Sequence, residues 1–194
     1  MLAAFAKRHD LRRFEILFSA LAGLLFFLVL RTETHIFAAV ASGYLLFTML
    51  LVTLIDSRLM IIPNVFSLPA IPLGLAAAAT AFPQDWRLVL LDHAGAAVVA
   101  SLSLYGLRWF YFRTRGVTGL GLGDVKLAAA AGAWVGLELL PATCLLATGA
   151  ALAAVVLRRL TAPAKVITMA TAIPFGSFIA PAIVIVWGML LLGP

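Results

Sequence analysis

Residues 35–55 read HIFAAVASGYLLFTMLLVTLI and contain no Asp, Glu, Lys or Arg. A helix of about 20 apolar residues can cross the hydrocarbon core of a bilayer, so this stretch predicts a membrane-spanning helix. The whole chain has the same character, because 64% of its 194 residues are hydrophobic and only 11% are charged. Soluble domains are about 45–50% apolar and about 25% charged. The composition therefore excludes an ordinary soluble fold and predicts an all-α, polytopic membrane protein.

Seven apolar stretches of this kind follow one another along the chain. The expected spans are roughly 14–31, 35–55, 62–82, 88–112, 124–140, 142–158 and 172–192. The fifth and sixth are separated only by Pro141, so they form either a hairpin or two short, tilted helices. Pro69 and Pro72 are expected to kink the third span, which neighbouring helices tolerate in a membrane. Because the connections are short, the prediction is one integral-membrane domain over residues 1–194.

The basic residues predict how the bundle is oriented. In this arrangement twelve Lys and Arg side chains fall on the side of the N-terminus, whereas only Arg31 and Arg87 fall on the other side. Cytoplasmic loops are enriched in Lys and Arg, so the N-terminus is predicted to be cytoplasmic. The net charge of +6 is explained by this topology. The expected partner is therefore the lipid bilayer and not a nucleic acid.

The chain contains one cysteine, Cys144, in the middle of an apolar run. A single cysteine excludes a disulfide framework and a cysteine-rich zinc site within the chain. We therefore expect neither a metal nor another cofactor, and we interpret Cys144 as a small packed side chain.

Two of the eight acidic residues are the candidate catalytic groups. Asp56 ends the second span in TLIDSRLMIIPN (53–64), and Asp124 opens the fifth in GLGLGDVKL (119–127). The predicted topology puts both carboxylates at the cytoplasmic membrane face, on different helices, where an ionisable group is a functional candidate. Two adjacent carboxylates share one proton. One then acts as general base on a water while the other polarises the scissile carbonyl and protonates the leaving amine.

The residues around the two aspartates are expected to shape the site. Gly121 and Gly123 allow unusual backbone angles and a close approach to a substrate strand. Pro63, with Asn64 after it, is expected to end the helix beyond Asp56. The alternatives from the residues alone are structural: Asp124 is a helix N-cap, and Asp56 marks the end of a span and pairs with Arg58.

Two further acids have other interpretations. Asp92 lies inside the fourth span beside His93, where a proton relay and an interhelical hydrogen bond are both open, and the hydrogen bond is favoured. Glu15 lies at the start of the first span, where a helix N-terminus favours an anion. A contact of Glu15 with the site is the alternative.

Three longer strings together resemble the signature of the type IV prepilin peptidases, which are aspartic peptidases that process pilins and pilin-like secretion subunits. In IDSRLMIIPN (55–64), Asp56 precedes Pro63 by seven positions, as in that family. In GLGLGDVKLAAAAGAWVG (119–136), the string G-x-G-D-x-K-L is filled from Gly121 to Leu127. IPFGSFIAPA (173–182) resembles the family's PFGPF segment, with Ser177 where proline is usual.

This resemblance implies that Asp56 and Asp124 are the catalytic pair. It implies a multi-pass protein of the inner (cytoplasmic) membrane whose substrate is a prepilin or pseudopilin precursor, with a short basic leader before an apolar helix. Cleavage is expected at the cytoplasmic face. Lys126 either holds an acidic group or snorkels to the interface, and Ser177 is expected to contact neither aspartate.

Full-length relatives also carry a cytoplasmic zinc domain with cysteine pairs and methylate the new N-terminus. With one cysteine and a short loop after the first span, this chain resembles the short, peptidase-only members. Zinc and methyltransferase activity are therefore not expected.

Two competing functions come from other classes. A proton-coupled transporter would use Asp56, Asp92 and Asp124, but such proteins are built from related halves with acids near the midplane, and the sequence has no such symmetry. A non-catalytic subunit of a pilus or secretion assembly would keep its function when Asp56 or Asp124 is replaced.

Overall fold

The computed structural model describes residues 12–30, 35–117, 119–161 and 173–192. All regular structure in these residues is helical, and five of the six helices are long and apolar enough to cross a membrane. The multi-pass, all-α prediction is therefore confirmed, while the count of seven spans and the cytoplasmic N-terminus stay predictions. The helices are α1 (Arg13–Leu30), α2 (Ile36–Leu59), α3 (Asn64–Ala81), α4 (Trp86–Arg115), α5 (Leu122–Thr161) and α6 (Gly176–Leu192).

The longest helix, α5, is interrupted at Gly136, where φ is 72° and ψ is 177°. The predicted division at Pro141 is therefore wrong, since Pro141 lies inside the helix. Ala128 and Ala147 line one cavity of about 220 Å³, although a straight helix would hold them about 28 Å apart. The chain therefore turns back at Gly136, and the first limb (122–135) packs beside the second (137–161), as in the predicted hairpin.

Two neighbouring residues of α4 explain why the break lies at Gly136. The Leu137 N–H, which opens the second limb, donates to Asp92 Oδ2 over 2.9 Å. His93 Nδ1 lies 3.0 Å from the carbonyl oxygen of Ala133, near the end of the first limb. Each broken end thus has a polar partner, which backbone groups require inside a membrane. The predicted interhelical hydrogen bond of Asp92 is confirmed.

Two buried tryptophans join the helices that carry the site. Trp134 of α5 and Trp187 of α6 meet edge to face, with their ring centroids 5.1 Å apart. Trp134 Nε1 donates to the carbonyl of Ala70 on α3, and Trp187 Nε1 donates to Ser42 Oγ on α2, both over 2.8 Å. Because both indole N–H groups are satisfied, this aromatic pair fixes α2, α3, α5 and α6 relative to one another.

Helix α1 packs on α2 through a close glycine crossing. A Cβ atom at Gly23 would lie 2.5 Å from the carbonyl oxygen of Gly43, so the two backbones touch, as small residues allow in membrane helices. Glu15 of α1 forms an ion pair with Arg58 of α2. Arg58 therefore pairs with Glu15, whereas the structural alternative from the sequence had paired Arg58 with Asp56.

Candidate active site

Asp56 lies in the last turn of α2 and is buried, with only 4% of its surface exposed. The helix ends at Met60, whose left-handed backbone (φ 52°, ψ 38°) lets its N–H donate to the Asp56 carbonyl over 2.9 Å. Helix α3 begins at Asn64, directly after Pro63. The predicted end of the helix beyond Asp56 is therefore confirmed, and it holds Asp56 at a helix terminus.

Asp124 is the third residue of α5, and its Oδ2 accepts the N–H of Gly121 over 3.1 Å. A third-position carboxylate that reaches back in this way satisfies a donor left free at a helix start. Asp124 is therefore not the N-cap itself, as the structural alternative had it, because α5 begins at Leu122; it caps the helix start from inside the first turn. Neither Gly121 nor Gly123 has a positive φ, so the expected unusual backbone angles are wrong.

The N-terminus of α6 brings the two aspartates together. The Ser177 N–H donates to Asp56 Oδ2 over 2.7 Å, and the backbone of Gly176 lies beside Asp124. Asp124 also interacts electrostatically with Asp56. The positive end of one helix thus faces both carboxylates. The expectation that Ser177 contacts neither aspartate is wrong, since its backbone binds Asp56.

Ile62 fills the centre of this arrangement, and the sequence analysis missed it. A Cβ atom at Gly123 would lie 2.8 Å from Ile62 Cβ, and one at Gly176 would lie 2.5 Å from Ile62 Cδ1. The side chain therefore packs between the two glycines. The close approach at Gly123 is made by the chain's own Ile62 and not by an open channel. The sequence signal for Ile62 was a pair of glycines. Gly123 directly precedes Asp124, and Gly176 directly precedes Ser177, whose N–H binds Asp56.

Two polar contacts hold the neighbouring segments. Lys126 Nζ donates to Asn64 Oδ1 over 2.8 Å, so the sequence-predicted Lys126 and Asn64 meet, although the partner of the lysine is a neutral amide. The guanidinium of Arg108 on α4 donates to the carbonyl of Leu120. Arg108 therefore holds the segment that leads into Asp124, a role that the sequence analysis did not assign to it.

This geometry suits acid–base chemistry on a polar bond at a membrane face. Two carboxylates from different helices lie close together, and backbone N–H groups fix the direction of each. Among the described residues, no group of three His, Cys, Asp or Glu side chains is arranged to hold a metal ion.

Comparison with known proteins gives a consistent result. A model of the type IV leader peptidase family matches residues 43–188, which include α3, α4, α5 and both aspartates. The chain is similar to two proteins named prepilin leader peptidase/N-methyltransferase. It is 36% identical to that of Pseudomonas putida over 148 residues, which are 74% of this chain and 48% of the relative. It is 37% identical to that of Pseudomonas aeruginosa over 155 residues, which are 76% of this chain and 50% of the relative.

The chain spans about half the length of these relatives. No solved structure matches it. The relatives are named for leader cleavage, so the comparisons do not favour the transporter alternative.

Proposed function

The chain belongs to the type IV leader peptidase family, and on that basis we propose that it is a membrane-embedded aspartic endopeptidase. Its proposed substrates are prepilin or pseudopilin precursors, from which it removes the short basic leader. The proposed location is the inner (cytoplasmic) membrane, with the site at its cytoplasmic face. This end of the bundle carries Asp56, Asp124 and the ion pair of Arg58 with Glu15, and basic residues gather on the cytoplasmic side of membrane proteins.

One observation carries the proposal: the first turn of α6 meets both carboxylates, with the Ser177 N–H donating to Asp56 and the Gly176 backbone lying beside Asp124. The two acids are 68 positions apart in the sequence. If each aspartate only capped its own helix, the two would have no reason to meet at the same helix terminus. Charges at membrane depth are costly and mark functional sites. Their convergence on one helix terminus therefore supports a catalytic pair.

In the proposed reaction the two carboxyl groups hold one proton between them. The ionised member takes a proton from a water, which attacks the scissile carbonyl carbon. The protonated member donates to the carbonyl oxygen and, as the C–N bond breaks, a proton passes to the leaving amine. The titration belongs to the pair, so neither role is assigned to one residue. The Ser177 N–H orients the Asp56 carboxylate but takes no part in proton transfer.

The other candidate site residues support this pair. Gly121 donates its N–H to Asp124, and Gly123 admits Ile62 between the helices. Pro63 sets the start of α3, and Asn64 accepts from Lys126 on α5. We propose that these residues shape the site and that Lys126 and Asn64 fix the spacing of α3 and α5 beside it.

The test is co-expression with a prepilin, comparing the native protein with Asp56→Asn and Asp124→Asn. Asparagine keeps an oxygen that accepts the same N–H bonds, so the change removes the acid–base function and spares the contacts. Leader removal is followed by gel shift and N-terminal sequencing. Each variant is expected to lose at least about 100-fold in cleavage rate, as for loss of a general acid or base.

Asp85→Asn is the matched control, because Asp85 is exposed in the connection between α3 and α4 and its side chain makes no cap hydrogen bond. It is expected to cleave like the native protein. Cleavage by either Asp56→Asn or Asp124→Asn at the native rate would refute the dyad and leave both aspartates as helix-end residues. Failure of the native protein itself to cleave would instead support the non-catalytic subunit.

A further inference from the structure

An apolar cavity lies near Asp124, between α4, both limbs of α5, and α6. Its volume is about 220 Å³. Four alanines from three of these helical segments line it together with Phe175; the alanines are Ala100, Ala128, Ala131 and Ala147.

The walls are mainly apolar, and their hydroxyl groups belong to Thr143, Thr148 and the exposed Ser103. The hydroxyl of Thr143 donates to the Leu139 carbonyl over 3.0 Å, and that of Thr148 donates to the Cys144 carbonyl over 2.7 Å. Both lining threonines thus spend their donors on their own helix. A buried polar or charged group placed here would lose its water without a replacement, so the cavity suits a hydrocarbon or aromatic group.

The cavity begins about one helical turn from Asp124. Ala128 follows Asp124 by four residues, which is about 6 Å along the axis, and Phe175 directly precedes Gly176 at the start of α6. Ala131 lies one turn further along the same limb. The cavity therefore extends away from the Asp124 end of this limb into the apolar part of the bundle.

We infer that this cavity receives the first apolar side chains that follow the scissile bond in the substrate, and that it limits their size. This inference rests on the proposed function, in which a basic leader precedes an apolar helix. With the scissile bond at the aspartates, the leader stays at the polar face. The side chains that reach deeper belong to the apolar helix. Their chemistry matches the cavity walls, and Ala128 in those walls lies one helical turn from Asp124.

The volume sets the size limit. An apolar protein cavity of about 150 Å³ holds a benzene molecule, so 220 Å³ accepts one large aromatic or aliphatic side chain, or two small ones. Enzymes discriminate such groups by about 1–3 kcal/mol per methylene, or 10–200-fold in rate.

The first test changes the size of the cavity. Ala131→Leu narrows it and Leu104→Ala widens it, since both residues line it. Each variant is given two prepilins that differ only in the first residue after the scissile bond, which is Leu or Ala. We expect Ala131→Leu to raise the ratio of cleavage rates, Ala substrate over Leu substrate, at least about 10-fold, and Leu104→Ala to lower it. The matched control is Ala150→Leu, the same change at an exposed position of α5, which should leave the ratio unchanged.

The second test measures which substrate positions come close to Cys144. It leaves the cavity residues unchanged, so it does not depend on whether a variant with an altered cavity folds. Cys144 is the only cysteine of the chain and lines the cavity. Prepilins with a single cysteine are mixed with the Asp124→Asn form and an added oxidant. Disulfide cross-links to Cys144 are expected from cysteines in the first few positions after the scissile bond and not from cysteines in the leader.

The outcomes separate the two proposals. No cleavage of any prepilin by the native protein would overturn the proposed function and this inference with it. Normal cleavage with an unchanged size ratio and no cross-link from the apolar segment would overturn the inference alone. That result would indicate a cavity filled by a lipid acyl chain.

Discussion

Replacing Gly136 with alanine tests how the limb that carries Asp124 is held. The residue has φ 72° and ψ 177°, a region that is essentially restricted to glycine and costs other residues about 1–3 kcal/mol. A Cβ atom here would also lie 2.5 Å from Asp92 Oδ2 and 3.0 Å from His93 Nε2. Gly136→Ala therefore strains the backbone and pushes the Asp92 carboxylate away from its ligand.

The displaced carboxylate leaves the Leu137 N–H, bound over 2.9 Å in the native protein, without its acceptor. Leu137 lies on the outside of the bundle, where lipid offers no replacement acceptor, so the lost bond costs about 1–3 kcal/mol. Together with the strain, we expect Gly136→Ala to lower the free energy of unfolding by about 2–6 kcal/mol. At about 2–4 °C per kcal/mol for a chain of this size, the melting temperature should fall by roughly 4–24 °C.

The assay is thermal unfolding in detergent micelles, followed by tryptophan fluorescence, with cleavage measured well below the transition. Gly149→Ala is the matched control, because Gly149 lies in the same helix and a Cβ atom there would meet nothing within 4 Å. It should be neutral or stabilise by up to about 1 kcal/mol. Since the first limb carries Asp124, Gly136→Ala should also slow cleavage, whereas Gly149→Ala should not.

A double-mutant cycle with Asp92→Ala separates the two causes. Once Asp92 is absent, Leu137 N–H is already unpaired and the clash with Asp92 is removed, so adding Gly136→Ala should cost only the backbone strain and the remaining close contact with His93. The two changes should then be non-additive by about 1 kcal/mol or more. Equal melting temperatures for Gly136→Ala and Gly149→Ala would refute the break at Gly136, and strict additivity would refute the contact with Asp92.

Two contacts of the site give the remaining predictions. Ser177→Pro removes the N–H that binds Asp56 but introduces the proline that is usual at this position in the family that IPFGSFIAPA resembles, and a helix tolerates proline in its first turn. Cleavage by Ser177→Pro and by Ser177→Ala, which keeps the N–H, should therefore both stay near the native rate. A loss of about 10-fold or more in Ser177→Pro alone, as for a lost hydrogen bond to a charged group, would contradict this expectation and show that the chain depends on the Ser177 N–H. Lys126→Met and Asn64→Ala each break the hydrogen bond between Lys126 and Asn64, so each should destabilise the protein by about 0.5–1.5 kcal/mol. In thermal unfolding, the double variant should lose less stability than the sum of the two single variants. Additive losses would show that the pair does not interact.

The membrane class, most helices and the candidate acids were predictable because their signals are local. The lengths of the apolar runs predicted the spans, and the structure places helices within a few residues of them. Pro63 predicted the end of the helix beyond Asp56, because a proline restricts the residue before it in any context. Asp56 and Asp124 stood out since few acids border membrane spans.

The break in α5 was misplaced because the local signal pointed elsewhere. Pro141 is the stronger helix breaker in sequence, yet a membrane helix continues through it. Gly136 turns the chain because Asp92 and His93, more than 40 positions earlier, bind the groups that the turn exposes.

By itself the sequence determined the solvent of this protein, the positions of most of its helices and the two acids at their ends, since hydrophobic length and turn chemistry act over a few residues. Only the tertiary structure decided what holds those acids together: the first turn of α6 at Gly176 and Ser177, the side chain of Ile62 between two glycines, and the hairpin at Gly136. The physical reason is that a backbone N–H carries no residue-specific signal in the sequence. Its partner is chosen by the packing of helices that are distant along the chain.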